Sequence, residues 1–329
     1  MNAYTPVSLP NGWNFIRSEK SETLPGEAVE EAIVTIGRWV RAWKELFPQE
    51  RTLARALFGI PSLFIRLEGT WKRGEGWRLN EIEERPCGLG ATGIVNTEFQ
   101  LAFARLISEF PRDFVSLRSV SCPERITDDS LWTVEVPLGD ALGSEGPLLV
   151  RSRPEQTSYH ALTSRAISTV ENEGHKGYGC KLGLWSILNS PEDLPTFPCV
   201  IKPLQGTRCR GVLAHFPEGS LTFQKGNGER RPFLEGSSVP LVKQDGDTVG
   251  REGLLRRLAG QEGKMVCQPF ILPMRFEHEP DKNGIYRFYF GYSPQRGRYV
   301  PLGGVWTASR SLRVHGHEGV VFGPLHFRL

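Results

Sequence analysis

The chain has 329 residues, 39% of them hydrophobic and 23% charged, with a formal net charge of +3. That composition suits a globular chain of one large or two ordinary domains, and the charge is too small to argue for nucleic acid or an anionic membrane as a partner. No apolar run approaches the roughly 20 residues that span a bilayer, and the first twenty residues lack the basic-then-apolar order of a signal peptide, so a cytoplasmic location is expected.

Taken in chain order, residues 24–58 predict a pair of amphipathic helices. Ala28, Ala32, Ile33, Ile36, Trp39 and Val40 form one apolar stripe, which Leu46, Leu53 and Leu57 continue. Residues 61–84 predict a β-hairpin, with LFIRLEG and WRLNEIE as strands about a KRGEG turn, ended by Pro86. Gly88 to Gly93 predict a tight turn into a helix over 95–109, for which Asn96 is the N-cap. Residues 112–151 read as strands and loops, with WTVEVPL and GPLLVRSR as the β-like pieces. Helices are expected at 155–170 and in CKLGLWSIL, then a strand in PCVIKPL that runs into the loop QGTRCRGV. Residues 215–250 read as a surface insertion of mobile hairpins. REGLLRRLAG predicts a helix, KMVCQPFI a buried strand, and YRFYFGYSPQRGRYVPLGGVWTAS an aromatic hairpin. The six cysteines show no CxxC pair and read as reduced thiols rather than a zinc site. This order predicts an α+β chain with antiparallel sheets, without the βαβ alternation of a dinucleotide-binding domain.

The first hairpin carries candidate chemistry. Side chains alternate faces along a strand, so Arg66 shares a face with Glu68, and Glu81 shares one with Glu83. If the strands pair, three carboxylates and a guanidinium meet on one patch. Such acids repel unless a cation or a basic partner sits among them. Mg²⁺ suits the patch, since it takes carboxylate oxygens and leaves places for phosphate and water. A solvated acidic face with surface salt bridges is the other reading. Gly88-Leu89-Gly90-Ala91-Thr92-Gly93 has GxGxxG spacing, but a dinucleotide turn needs an apolar strand immediately before it. Here Asn80, Glu81, Glu83 and Glu84 precede, with Arg85, Pro86 and Cys87 between.

Further along, Lys202 ends a strand and is followed by a loop bounded by Gly206 and Gly211 that contains Arg208 and Arg210. Backbone N–H groups of such a loop approach phosphate oxygens while the lysine offsets their charge. It is not a Walker A sequence. Lys181 opens the CKLGLWSIL segment, and the stretch Gln268, Pro269, Phe270 and Ile271 is suited to meeting an adenine edge with backbone and apolar side chains. A core strand leading into a loop is the plain alternative for that stretch.

In order, IRLEG, LNEIEERPCG, GCKLGLWSIL, CVIKPLQGTRCRGV, KMVCQPFILP and PLGGVWTAS with RVHGHEGVVFGP resemble the motifs of the ATP-grasp ligases. The match is to the circularly permuted branch typified by the glutathionylspermidine synthetase domain, because here the acids precede both lysines. The resemblance covers about residues 61–325. It implies an ATP-grasp fold with antiparallel sheets flanked by helices: a helical segment at 1–60, a metal- and substrate-binding part at 61–180, and a nucleotide-binding part at 181–329. It implies ATP and Mg²⁺ as cofactors, with Glu68, Glu81 and Glu83 as metal ligands. Lys181, Lys202, Gly206 and Gln268 to Ile271 would bind the nucleotide, and Arg66, Arg208 and Arg210 would act at the transferred phosphate. The family often has Asp at the place of Glu68 and Asn at that of Glu83, and the third acid raises the charge here. The implied reaction joins a carboxylate to an amine through an acylphosphate, with a phosphotransferase or a non-catalytic nucleotide-binding protein as alternatives. His315 and His317 are candidate substrate-side groups or plain loop histidines.

Overall fold

A computed structural model describes residues 4–9, 14–49, 51–84, 88–111, 118–120, 134–135, 146–150, 164–168, 184–190, 193–203, 213–215, 222–224, 230–232, 241–243, 265–310 and 319–328. By packing, the chain divides into two compact units, Met1–Glu171 with Lys282–Leu329, and Asn172–Asp281. This division is made on contacts and differs from the three functional segments implied by the motifs.

The first unit opens with three short strands, β1 (Tyr4–Ser8), β2 (Asn14–Ser18) and β3 (Glu22–Leu24), ahead of helix α1 (Gly26–Leu46). The periodic stripe of α1 faces inward as expected at Ala28, Ala32, Ile36 and Trp39, and it ends on Ala42 and Trp43. Leu46 and Leu57, expected to extend it, are exposed, and the buried stripe of α1 ends at Trp43. Helix α2 (Leu53–Phe58) is capped by Thr52, whose hydroxyl accepts from Arg55 N, and stops at Gly59 in the left-handed region.

The predicted hairpin follows as β4 (Phe64–Lys72) and β5 (Gly76–Glu83). Helix α3 (Leu89–Val95) then occupies the stretch expected to be a tight turn, and α4 (Thr97–Ser108) is the predicted helix. Three short strands, β6 (Arg118–Val120), β7 (Val134–Glu135) and β8 (Leu148–Val150), form a parallel sheet in the order β7-β6-β8. Of the helix expected at 155–170, residues 164–168 are described. Residues 164 and 165 form a turn, and Ala166 and Ser168 make isolated bridges to Leu148 and Ser62. Pairing with existing strands outweighs helix propensity in so short a stretch.

The second unit holds β9 (Ser186–Leu188), β10 (Cys199–Pro203), β11 (Leu213–His215), β12 (Thr222–Gln224), β13 (Arg230–Pro232), β14 (Leu241–Lys243), β15 (Met265–Pro269) and β16 (Met274–Phe276). Its five-stranded sheet runs β14-β11-β10-β15-β9, entirely antiparallel, and β12 pairs with β13. Ser186–Leu188 is thus a strand where a helix was expected. It buries Leu188 against Cys199, Ile201, Met265 and Cys267. Cys199 and Cys267 are free thiols, as the cysteine spacing implied. The helix expected in REGLLRRLAG lies outside the described residues, as does most of the 215–250 insertion.

The chain closes with β17 (Glu279–Ser293), β18 (Arg298–Ser309) and β19 (Val321–Phe327). They complete a sheet in the order β1-β2-β19-β18-β17-β4-β5, in which β19 runs parallel to β2 and β3 and the other pairs along this path are antiparallel. The fold is therefore mixed α+β with mainly antiparallel sheets, as expected. Both faces of the large sheet are covered, which is why β4 is buried from Phe64 to Thr70. On one face α1 receives Trp71 and Trp77, whose indole N–H groups donate to Glu31 Oε2 and Ala28 O. On the other, Phe103 stacks on Phe64 and Phe99 packs on Tyr289. Among the described residues no helix is long and apolar enough to cross a membrane.

Asn96 joins the second helical layer to the sheet. Its Oδ1 accepts from Phe99 N at 3.1 Å, which caps α4, and its Nδ2 donates to Gly304 O at 2.8 Å and Leu325 O at 3.0 Å. Asn96→Ala removes three buried hydrogen bonds and is expected to cost about 2 kcal/mol in urea unfolding. A loss within error of zero would show that water replaces the amide.

Candidate active site

The site begins with a register shift. From the turn, Lys72 pairs with Gly76, Trp71 with Trp77, Thr70 with Arg78 and Gly69 with Leu79. An uninterrupted ladder would then set Glu68 opposite Asn80 and Arg66 opposite Ile82. The register instead steps over Asn80, so that Glu68 pairs with Glu81, Leu67 with Ile82 and Arg66 with Glu83. A one-residue slip turns a whole strand over, and here it brings Glu81 and Glu83 onto the face of Arg66. Gly69 makes the bulge feasible, since a Cβ there would stand 2.2 Å from Arg78 O. On the other side of β4, strand β17 sets Arg287 opposite Glu68 and Tyr289 opposite Arg66. Directly opposed residues share a face, so three strands present Glu83, Arg66 and Tyr289 in one row and Glu81, Glu68 and Arg287 in the next.

The contacts follow this grid. Arg66 Nη2 lies 2.5 Å from Glu68 Oε1 and also pairs with Glu83 Oε2, while Arg287 Nε lies 3.1 Å from the same Glu68 oxygen. Arg66, Glu68 and Arg287 are 4%, 2% and 5% exposed, so water does little of the charge balancing. Arg66 Nη1 donates to Tyr289 Oη at 3.3 Å. Thr92 Oγ1 donates to Gly88 O at 2.7 Å and lies 3.2 Å from Tyr289 Oη. Since the threonine proton goes to Gly88, the phenol proton points at Thr92 and the phenol oxygen accepts from Arg66. Burial pushes the Tyr289 phenol up, against the opposing pull of Arg66 and Arg287, which keeps that proton in place.

The glycines of the GxGxxG stretch have a packing role here. Gly88 precedes α3 at φ 86°, and a Cβ on it would stand 3.4 Å from Tyr289 Oη and 3.8 Å from Arg66 Nη1. Gly90, Ala91 and Gly93 are buried within α3. Small residues let α3 approach this polar face closely.

The three expected metal ligands are thus gathered on one face, but around arginine. Glu68 and Glu83 close on Arg66, and Glu68 also takes Arg287. Among the described residues no group of three His, Cys, Asp or Glu side chains is placed to hold a metal ion. A Mg²⁺ ion needs oxygen ligands at about 2.0–2.1 Å in near-octahedral order, and the guanidinium groups stand where it would have to enter. As arranged, the trio does not fit a divalent ion.

In the second unit, Lys202 of β10 pairs with Val266 of β15, and Val200 pairs with Gln268. The lysine strand and the stretch expected to meet adenine are therefore antiparallel neighbours, and Lys202, Val266 and Gln268 share a face. Lys202 Nζ lies 5.7 Å from the ring centroid of Trp185, a buried indole. Gln268 sits in the ladder, Pro269 has no N–H, and Phe270 donates its N–H to Pro198 O at 2.8 Å. Ile271 is the first residue past that bond. Lys181, Gly206, Arg208, Arg210, His315 and His317 lie outside the described residues.

Arg287, Tyr289, Thr92 and Trp185 were missed from the sequence. A signal did exist for the first two. In Tyr286-Arg287-Phe288-Tyr289-Phe290, a lone guanidinium in an aromatic strand shares its face with the tyrosine two residues on. Thr92 and Trp185 carry no comparable mark. No family model matches the chain, and no curated protein matches it.

Proposed function

We propose that the chain is an ATP-dependent carboxylate–amine ligase with a circularly permuted ATP-grasp fold, acting in the cytoplasm. The observation that carries this reading is the buried face on which an Arg-x-Glu strand pairs with the Glu-x-Glu strand and with Arg287. The pairing of the Lys202 strand with the Gln268 strand supports it, because phosphate- and base-binding segments then belong to one small sheet. The substrate carboxylate attacks the γ-phosphorus of ATP, a P–O bond to ADP breaks, and an acylphosphate forms. The amine nitrogen then bonds to the acyl carbon, phosphate leaves, and the amine proton passes to phosphate or solvent. Lys202 and Lys181 offset charge on the nucleotide phosphates, with Arg208 and Arg210 of the glycine loop beside the transferred group. Arg66, expected at the transferred phosphate, is taken up by Glu68 and Glu83, and Arg287 by Glu68, so no step is assigned to either. No step is assigned to Mg²⁺ on Glu68, Glu81 and Glu83, since those carboxylates do not fit it as they stand.

The test is a screen of amino acids and other acids with amines for stimulated release of ADP and phosphate, with products read by mass spectrometry. Lys202→Ala should lower the stimulated rate by about 10²- to 10³-fold, the usual loss for one charge-stabilising group, with unfolding stability retained. A wild-type chain that binds no ATP would refute the reading. One observation favours a second reading, a nucleotide-binding protein without turnover: the closure of Glu68 and Glu83 on Arg66. ATP bound without ADP release in any substrate mixture would select it.

A further inference from the structure

We propose that the Arg66 guanidinium is the resident cation of this carboxylate face, holding the place that a divalent metal ion is expected to take. Glu68 Oε1 receives two guanidinium groups, Arg66 Nη2 at 2.5 Å and Arg287 Nε at 3.1 Å, and the same Arg66 nitrogen meets Glu83 Oε2. Arg66 and Arg287 thus bring two positive charges to the carboxylates of Glu68 and Glu83. An ion entering at Glu68 Oε1 would have to expel both guanidinium groups from one oxygen. Arg66 is also fixed from its other nitrogen. Nη1 donates to Tyr289 Oη, Tyr289 leans on Thr92, and Thr92 is tied to Gly88 O. That line of hydroxyls ends at the elbow before α3, where Gly88 takes a left-handed φ of 86°. The guanidinium is thus held from two sides, by acids and by a phenol, at 4% exposure. A planar cation in ion-pair contact with two carboxylates meets the needs of this face without the coordination geometry Mg²⁺ demands.

Arg66 holds these acids whether or not the chain is a ligase. This is tested on the full chain with Mn²⁺ alone, bound ion being measured by electron paramagnetic resonance. Wild type and Glu83→Gln should bind Mn²⁺ within two-fold of each other, because Glu83 is already committed to Arg66. Arg66→Gln should bind at least ten-fold more tightly than wild type, because Glu83 loses its guanidinium and Glu68 loses one of two, and adding Glu83→Gln should remove that gain. Tyr289→Phe, which keeps every charge and loosens one anchor, should lie between. A wild-type affinity that falls ten-fold or more in Glu83→Gln overturns the proposal, as does equal affinity in wild type and a folded Arg66→Gln. Should Arg66→Gln fail to fold, the comparison of wild type with Glu83→Gln decides. ATP binding is measured separately, so that failure of the ligase reading leaves this result standing.

Discussion

Gly69→Ala should destabilise the first unit by about 3 kcal/mol or more, at the upper end of what overpacking costs. The added Cβ would stand 2.2 Å from Arg78 O and 3.0 Å from Leu79 Cα. Both are main-chain atoms of the paired strand, so no side-chain rotation relieves the contact. Relief requires the strands to separate, or the hairpin to return to the register in which Arg66 faces Ile82. The second route would turn Glu81 and Glu83 away from Arg66. Gly37→Ala is the matched control. Gly37 lies inside α1, and a Cβ there meets nothing within 4 Å, so helix propensity alone predicts a gain of up to about 1 kcal/mol. Urea unfolding followed by tryptophan fluorescence reads both changes, since Trp71 and Trp77 sit opposite each other two residues from Gly69. Equal stability of the two variants would mean that the bulge is not packed as described.

Glu68→Ala should cost about 3–5 kcal/mol, the range for removing one partner of a buried ion pair. The loss exceeds that of an exposed pair because the variant takes from buried Arg287 the carboxylate at its Nε and from buried Arg66 one of the carboxylates at its Nη2. Replacing charge by packing is the informative companion. The double variant Glu68→Leu with Arg287→Met removes one positive and one negative group together and should recover most of the loss. The cost of Glu68→Ala should change little between 0.1 M and 1 M salt, because buried pairs are poorly screened. A loss below about 1 kcal/mol that vanishes in salt would place this pair with ordinary surface ion pairs.

How far the site was legible varies by residue. Arg66, Glu68, Glu81 and Glu83 were grouped from strand alternation, and they do share a face. Yet that grouping needs the step over Asn80, which the alternation does not specify. An even hairpin from the same turn would have set the glutamates on the other face. Lys202 and Gln268 were picked out separately, and only strand pairing makes them neighbours. Their composition gave no hint that Ser186–Leu188 would add as an edge strand, because a short apolar run reads equally well as helix or strand. Leu89 to Gly93 belong to helix α3 where a tight turn was expected. There small side chains serve close packing against Tyr289.

Local chemistry sufficed for elements whose signals lie within a few residues. The KRGEG turn, the Asn96 cap, the inward stripe of α1 from Ala28 to Trp39 and the aromatic hairpin are all of this kind, since turns, caps and periodicity depend on near neighbours. The sequence by itself also determined that Arg66 shares a face with Glu68 on the first strand, and Glu81 with Glu83 on the second. Only the tertiary structure decided what those acids bind. Strand β17, which begins more than two hundred residues after β4, brings Arg287 and Tyr289 beside Glu68 and Arg66. Burial between two helical layers then removes the water that would otherwise separate their charges. An acidic strand has no preference between a metal ion and an arginine until its neighbours and its dielectric are set.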